Sequence, residues 1–459
     1  MKHRRTSLYS PFILAAALIQ TLLLFCVDNP INREDLDESE WQPELPVYVE
    51  PSVPDGLNRD RIDLGIENAI VINWGSEKVV DIPENLSVEF DLNGGHVIMR
   101  STSPIVNGID VVLNGVTKNG SLKIYGNQRI RGVRLYLNGA DITNPVGPAI
   151  SFPVNDNISN NIDSVSVNLV GGGGRRNILA DGANYAALPD KESAKGTFFS
   201  ETQVGFRGEG SLEIRSKYRH AIVVDNNFKM TSGNIIIYES VGDGIHVNRE
   251  ILVQGGTLQI KSSGDAIQSE GRTVRNDINI SGGKLTLWTT GIKSHGIASD
   301  SGDVIIGGST DIKMTVLGDA SKGIRSRRSV NITGGKLDIT TYGDIDITPA
   351  HLSEDDDATS SAAGVRAHVN FFMSGGELRV KSFGENSKGI NVDKNAEILG
   401  GAVDIKSHGD GIKVDGDLII TGGKVTTQSS DKKGIDCKGC NGESYKQGGT
   451  VTSTDRTKW

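Results

Sequence analysis

Cysteine, aromatic residues and helical patterning are all scarce in this chain, and each scarcity excludes something. The three cysteines, Cys26, Cys437 and Cys440, rule out a disulfide-dense scaffold. Cys437 and Cys440 fall short of the four ligands of a structural zinc site and lack the βαβ setting of a thioredoxin-like pair, but can close a small disulfide in an oxidising compartment. Aromatics make up 5% of the 459 residues against 57 glycines, which fits thin stacked coils with tight corners better than a globular α/β core. Amphipathic helical periodicity is almost absent after residue 30. Positive charge is also in deficit, a formal net charge of −9, which argues against a nucleic-acid partner. No Ser-His-Asp or Cys-His constellation stands out.

The N-terminus has a basic opening, Met1 to Arg5, and an apolar run of 16 residues from Phe12 to Val27, too short to span a bilayer. That pattern predicts a secretory signal over 1–27 and an exported protein, at the cell surface or extracellular. Cys26 follows Leu23, Leu24 and Phe25 in a setting similar to a lipoprotein signal, though Phe25 stands where a small residue is usual. Lipid anchoring at Cys26, ordinary cleavage and an uncleaved anchor all remain open. Residues 28–61 are acidic and contain proline, the composition of a solvated tether, and 62–459 form the main domain.

A repeat organises that domain. Residues that follow a small residue and begin a short β-type run recur at Ile222, Ile245, Ile267, Ile292, Ile324, Val365, Ile390, Ile412 and Ile435, about 22 to 25 residues apart where nothing intervenes. In phase with them run Gly255-Gly256, Gly282-Gly283, Gly307-Gly308, Gly334-Gly335, Gly375-Gly376, Gly400-Gly401 and Gly422-Gly423. This period predicts an all-β, single-stranded parallel β-helix, regular from about residue 208. Residues 62–152 read as irregular opening coils and cap, Val165 to Leu212 as a longer excursion, and Ile339 to Val365 as an insertion.

Equivalent positions of successive coils stack at the strand spacing of about 4.8 Å, so the repeat names neighbours. The outward positions bring Lys293, Arg325 and Arg366 together, with His295, Arg327 and His368 beside them: a basic strip on an acidic protein. Like charges across neighbouring strands are unfavourable, so a polyanion such as a run of uronates is one reading. Long cations splaying into water is the other. Two residues before the Ile, Asp243 and Asp265 stack, with Asp225, Asn248 and Glu270 on the same coils, a set of hard oxygens that calcium would relieve. Asp in such corners also simply accepts from nearby backbone amides. The acidic stretch Glu354 to Asp357 is a second candidate for calcium or a solvated insertion.

Leu137-Asn138-Gly139, Pro148-Ala149-Ile150, Leu179-Ala180-Asp181-Gly182 followed by Tyr185, Phe198-Phe199-Ser200, Gly208 to Leu212 and the later Gly-Asp-Gly-Ile coils occur in an order that resembles the bacterial carbohydrate-binding β-helix family related in fold to pectate lyases, over roughly residues 87–451. The resemblance implies a right-handed parallel β-helix, bound calcium, and binding of cellulose or acidic plant polysaccharide rather than established cleavage. A lyase needs a base and calcium on one sugar, and the Asp243/Asp265 pair stacks two or three coils, roughly 10 to 15 Å, from the basic strip. Asp243 and Asp265 are also too close for an inverting glycosidase. The sequence reading is therefore a non-catalytic extracellular polysaccharide binder, with a calcium-dependent lyase or a surface spacer as alternatives.

Overall fold

The computed structural model describes residues 64, 66, 68–74, 81–91, 95–102, 105–125, 129–153, 162–186, 194–271, 276–346 and 360–457. The predicted signal with Cys26, the acidic tether and the Glu354–Asp357 stretch lie outside them. The described residues are all-β and form a parallel β-solenoid of about 12 turns.

One coil shows why the sequence folds this way. Ile245–Val247, Ile251–Val253 and Thr257–Ser262 are its three strands, each alternating buried and less buried residues. Alternation puts Ile245, Val247, Ile251, Val253, Leu258 and Ile260 inward, where no neighbour in the same coil can cover them. Stacking covers them, and each such side chain contributes about 1.5–3 kcal/mol on full burial. The first strand of each coil belongs to a 14-stranded sheet, and the other two run into a 24-stranded one. The main apolar core that results is continuous from Ile70 to Tyr445, with a small separate cluster of Ala194, Phe199 and Val223. After a first strand, Ile70–Trp74, in the 24-stranded sheet, the 14-stranded sheet begins with an antiparallel pair, Leu86–Asp91 on His96–Ser101.

The Gly-Gly marker has a backbone cause. Its second glycine lies in the left-handed region, as at Gly256 (φ 88°) and Gly401 (φ 87°), and a Cβ at either would meet a backbone oxygen at 2.5 or 2.7 Å. At the far end of the long strands, hydroxyls replace aliphatics and close the corner: Ser240 Oγ donates to Asp243 O (2.7 Å), Ser262 Oγ to Gly264 O (2.9 Å) and Ser407 Oγ to Gly409 O (2.9 Å).

Two readings of the repeat need correction. The stretch Val165 to Leu212 is no excursion: Ser164–Leu169 pairs in register with Gln203–Gly208, and Gly196–Ser200 with Ile150–Phe152 and His220–Val224. The wider sequence spacing between those strands, 39 residues from Val165 to its partner Val204, hides the period. The second correction matters more for the site. Ile267 pairs with Ile297, and Ile297 with Ile324, so Ile292 is not the inward residue of its coil. Gly291-Ile292 copies the marker five residues early within a lateral turn; Ile292 is 67% exposed while Ile297 is fully buried. The insertion after Ile339 is real, and its base closes as an antiparallel pair, Ile345–Asp346 on Ser360–Ser361.

Candidate functional site

The outward face of the 14-stranded sheet carries most of the residues singled out from sequence. Correcting the register removes two of them. Lys293 sits in the lateral turn at φ 55°, and His295 is buried two residues before Ile297. Ala298 and Asp300 take the places assigned to them, because the outward column runs His246, Gln268, Ala298, Arg325, Arg366. The basic strip therefore contracts to Arg325, Arg327, Arg366 and His368, and it acquires carboxylates.

Arg325 and Arg366 are register partners on adjacent strands, and each is only 9% exposed. Two like charges at that spacing need compensation, and it arrives from opposite sides. Arg325 Nη1 donates to Asp300 Oδ1 at 2.7 Å, and Arg327 Nε lies 3.6 Å from the same oxygen. On the next coils Arg366 grips Asp393 through both terminal nitrogens, Nη2 to Oδ2 at 2.8 Å, and His368 Nδ1 stands 3.2 Å from Oδ2. Burial disfavours charge on Asp393, but its bonds to His368 and Arg366 outweigh that and hold its carboxyl at about 2. The result is a fixed array of guanidinium planes rather than mobile cations.

The five residues expected to hold calcium are arranged otherwise. Asn248 Nδ2 donates to Asp225 Oδ1 (2.9 Å), a pair by itself. Asp243 and Glu270 are bridged by His246, whose Nδ1 is 2.8 Å from Asp243 Oδ2 and whose Nε2 is 3.0 Å from Glu270 Oε2. Burial opposes charge on His246, yet its bonds to Asp243 and Glu270 prevail and raise the imidazolium to about 10. Burial likewise opposes ionisation of Asp243, and the imidazoles of His220 and His246 outweigh it, holding the carboxyl well below its usual range. Asp265 moves the other way, well above that range, through burial and the Asp243 charge.

The His246 bridge thus offsets charge at Asp243 and Glu270, where calcium was expected to do so. With an imidazole between Asp243 and Glu270 and with Asn248 paired to Asp225, the side chains of Asp225, Asp243, Asn248, Asp265 and Glu270 as arranged here do not form a single hard-oxygen cage. Ligand atoms of His220, Asp243 and His246 do lie within 4.8 Å of one another, but Nδ1 of His220 accepts the Asp243 amide (2.9 Å) and both His246 nitrogens are engaged.

Sequence reasoning missed a buried ladder along this column. The Asp243 amide donates to His220 Nδ1, the Asp265 amide to Asp243 Oδ1 (2.8 Å), the His295 amide to Asp265 Oδ1 (2.5 Å) and the Lys322 amide to His295 Nδ1 (3.0 Å). Each coil's side chain receives the next coil's backbone. Burial, then Arg325 and Lys322, push His295 well below its ordinary pKa, as an acceptor Nδ1 requires. His295-Gly296-Ile297 matches the Asp-Gly-Ile corner of other coils, which is the signal that could have located it.

The family described as "Carbohydrate-binding domain-containing protein" matches residues 101–411, which span every strand of this face from Ser121–Tyr125 to Lys388–Val392. Among solved structures, a polysaccharide lyase-like protein from C. thermocellum, studied as a gadolinium derivative, is similar at 23% identity with a TM-score of 0.45; the match covers 59% of this chain and 96% of that one. No curated protein matches in sequence.

Proposed function

This chain belongs to the carbohydrate-binding domain-containing family, and from that premise we propose that it is a non-catalytic, exported polysaccharide binder whose glycan, acidic or cellulosic, lies along the outward face of the 14-stranded sheet around Arg325, Arg327, Arg366 and His368. The observation that carries the placement is the anchored Arg pair. Each guanidinium has five donors, and the carboxylates beside them fix the planes while leaving N–H groups for sugar hydroxyl and carboxylate oxygens. Donors held in place before binding lose little side-chain entropy on contact. Stacked coils repeat such contacts at a regular spacing of about 4.8 Å, suited to a polymer of repeating units.

The test uses the full chain on insoluble cellulose and on polygalacturonate. Arg327→Ala with His368→Ala, both at the more exposed edge of the array, is expected to weaken retention at least several-fold while the melting temperature stays within about 2 °C of wild type. Retention equal to wild type on both materials would remove the glycan from this face. Ultraviolet absorbance of unsaturated uronate should stay flat; a rise would make the protein a lyase.

A further inference from the structure

A second feature lies among the opening coils on the 24-stranded sheet. There Asn177–Asp181 pairs with Val133–Asn144 on one side and Ser211–Ser216 on the other. Its outward residues are Ile178 and Ala180, set between Asp141 and Thr143 of the preceding coil and Glu213 and Arg215 of the next. These two short apolar side chains leave a cavity of about 180 Å³. That is below the ~300–1,000 Å³ of pockets enclosing drug-sized ligands, so it suits one sugar-sized group.

The lining is chemically specific. Asp141 is 5% exposed; Lys118 Nζ meets its Oδ2 at 3.1 Å, while its Oδ1 has no hydrogen-bond partner among the described residues. A buried acceptor left open in this way calls for a donor. Opposite stand Arg215, which also meets Glu239 at 3.2 Å, and Lys217, exposed and without a carboxylate partner among the described residues. Asp181 fixes this corner, accepting from the Lys217 amide (2.6 Å), Tyr185 Oη (2.7 Å) and Thr197 Oγ1 (2.8 Å). The Tyr185 ring stacks on Tyr218 at 4.0 Å, directly after Lys217 in the chain.

We propose that this cavity binds a single acidic sugar unit. A sugar hydroxyl donates to Asp141 Oδ1, the carboxylate faces Lys217 and Arg215, and the apolar ring face lies on Ile178 and Ala180. The site is separate from the sheet face and rests on the carbohydrate-binding reading for its class of ligand.

The experiment is calorimetric titration of the full chain with D-galacturonate and with neutral D-galactose. Galacturonate is expected to bind, with galactose at least about tenfold weaker, the effect of one charge-assisted hydrogen bond. Lys217→Ala should weaken galacturonate by a similar factor, and Ala180→Leu, which fills the cavity from an outward strand position, should abolish binding. Arg327→Ala with His368→Ala should leave in place the part of the titration that Lys217→Ala weakens. The proposal is overturned if wild type binds no galacturonate, if galactose binds equally, if neither Lys217→Ala nor Ala180→Leu has an effect, or if only the sheet-face variant does. Retention on insoluble glycan without galacturonate binding would overturn this proposal alone and leave the sheet-face reading standing.

Discussion

At the scale of single residues, the two stacked aspartates are shifted in opposite directions. Asp243 is held below the usual carboxylate range beside His220 and His246 and accepts from the Asp265 amide, whereas burial and the Asp243 charge push Asp265 well above that range. Asp265→Asn keeps an oxygen for the His295 amide at a position where burial and Asp243 disfavour charge, so it is expected to change stability by less than about 1 kcal/mol. Asp243→Asn leaves the His246 imidazolium facing an amide and should cost about 3–5 kcal/mol in chemical denaturation. Equal effects of the two would contradict this assignment. The bridge also predicts a pH dependence. His246 titrates near 6.5 in the unfolded chain and at about 10 in the folded one, so its contribution is complete below about pH 6.5 and is lost as pH rises through about 10. Wild type should therefore lose more thermal stability than His246→Gln between about pH 7 and pH 10, and parallel curves would refute the bridge. The neighbourhood of Asp243 and Asp265 was legible in the sequence because both precede a marker Ile by two. Their protonation was not, because it depends on burial and on an imidazole from a different column.

At the scale of the strand and coil, periodicity found the register everywhere in the regular coils except at one turn. Gly291-Ile292 and Gly296-Ile297 both satisfy a local pattern, and spacing alone favoured the first. The structure chose the second because five extra residues cost little in a lateral turn, whereas a misplaced Ile in the stack would leave a hole. Ile297→Ala is accordingly expected to cost about 2–5 kcal/mol and Ile292→Ala less than about 0.5 kcal/mol in denaturant titrations. A reversal of that order would restore the simpler register. The same five-residue displacement moved Lys293 and His295 off the outward sheet face and brought Asp300 onto it, which converted an expected cationic strip into an array of ion pairs.

At the scale of the whole solenoid, each coil contacts chiefly its neighbours, so stability is close to a sum over coils and interfaces. Deleting Asp393 through Val414 joins Val392 to Asp415 and preserves both phase and an aspartate at the position that meets Arg366. The shortened protein should still unfold cooperatively, with a denaturant m-value reduced by about one coil's share of buried surface. Collapse to an unfolded chain would mean the coils are not interchangeable units. The sequence by itself determined the all-β class, the coil length, the inward aliphatic columns and the Gly-Gly corners, since period and backbone conformation are local properties of the chain. It also carried the family, through the order of motifs. Only the tertiary structure decided which residues share the sheet face, which carboxyls are pushed toward or away from ionisation and where a cavity opens beside Asp141. Those depend on the lengths of turns and on the dielectric surroundings of each charge, and both are settled only when one coil is laid on the next.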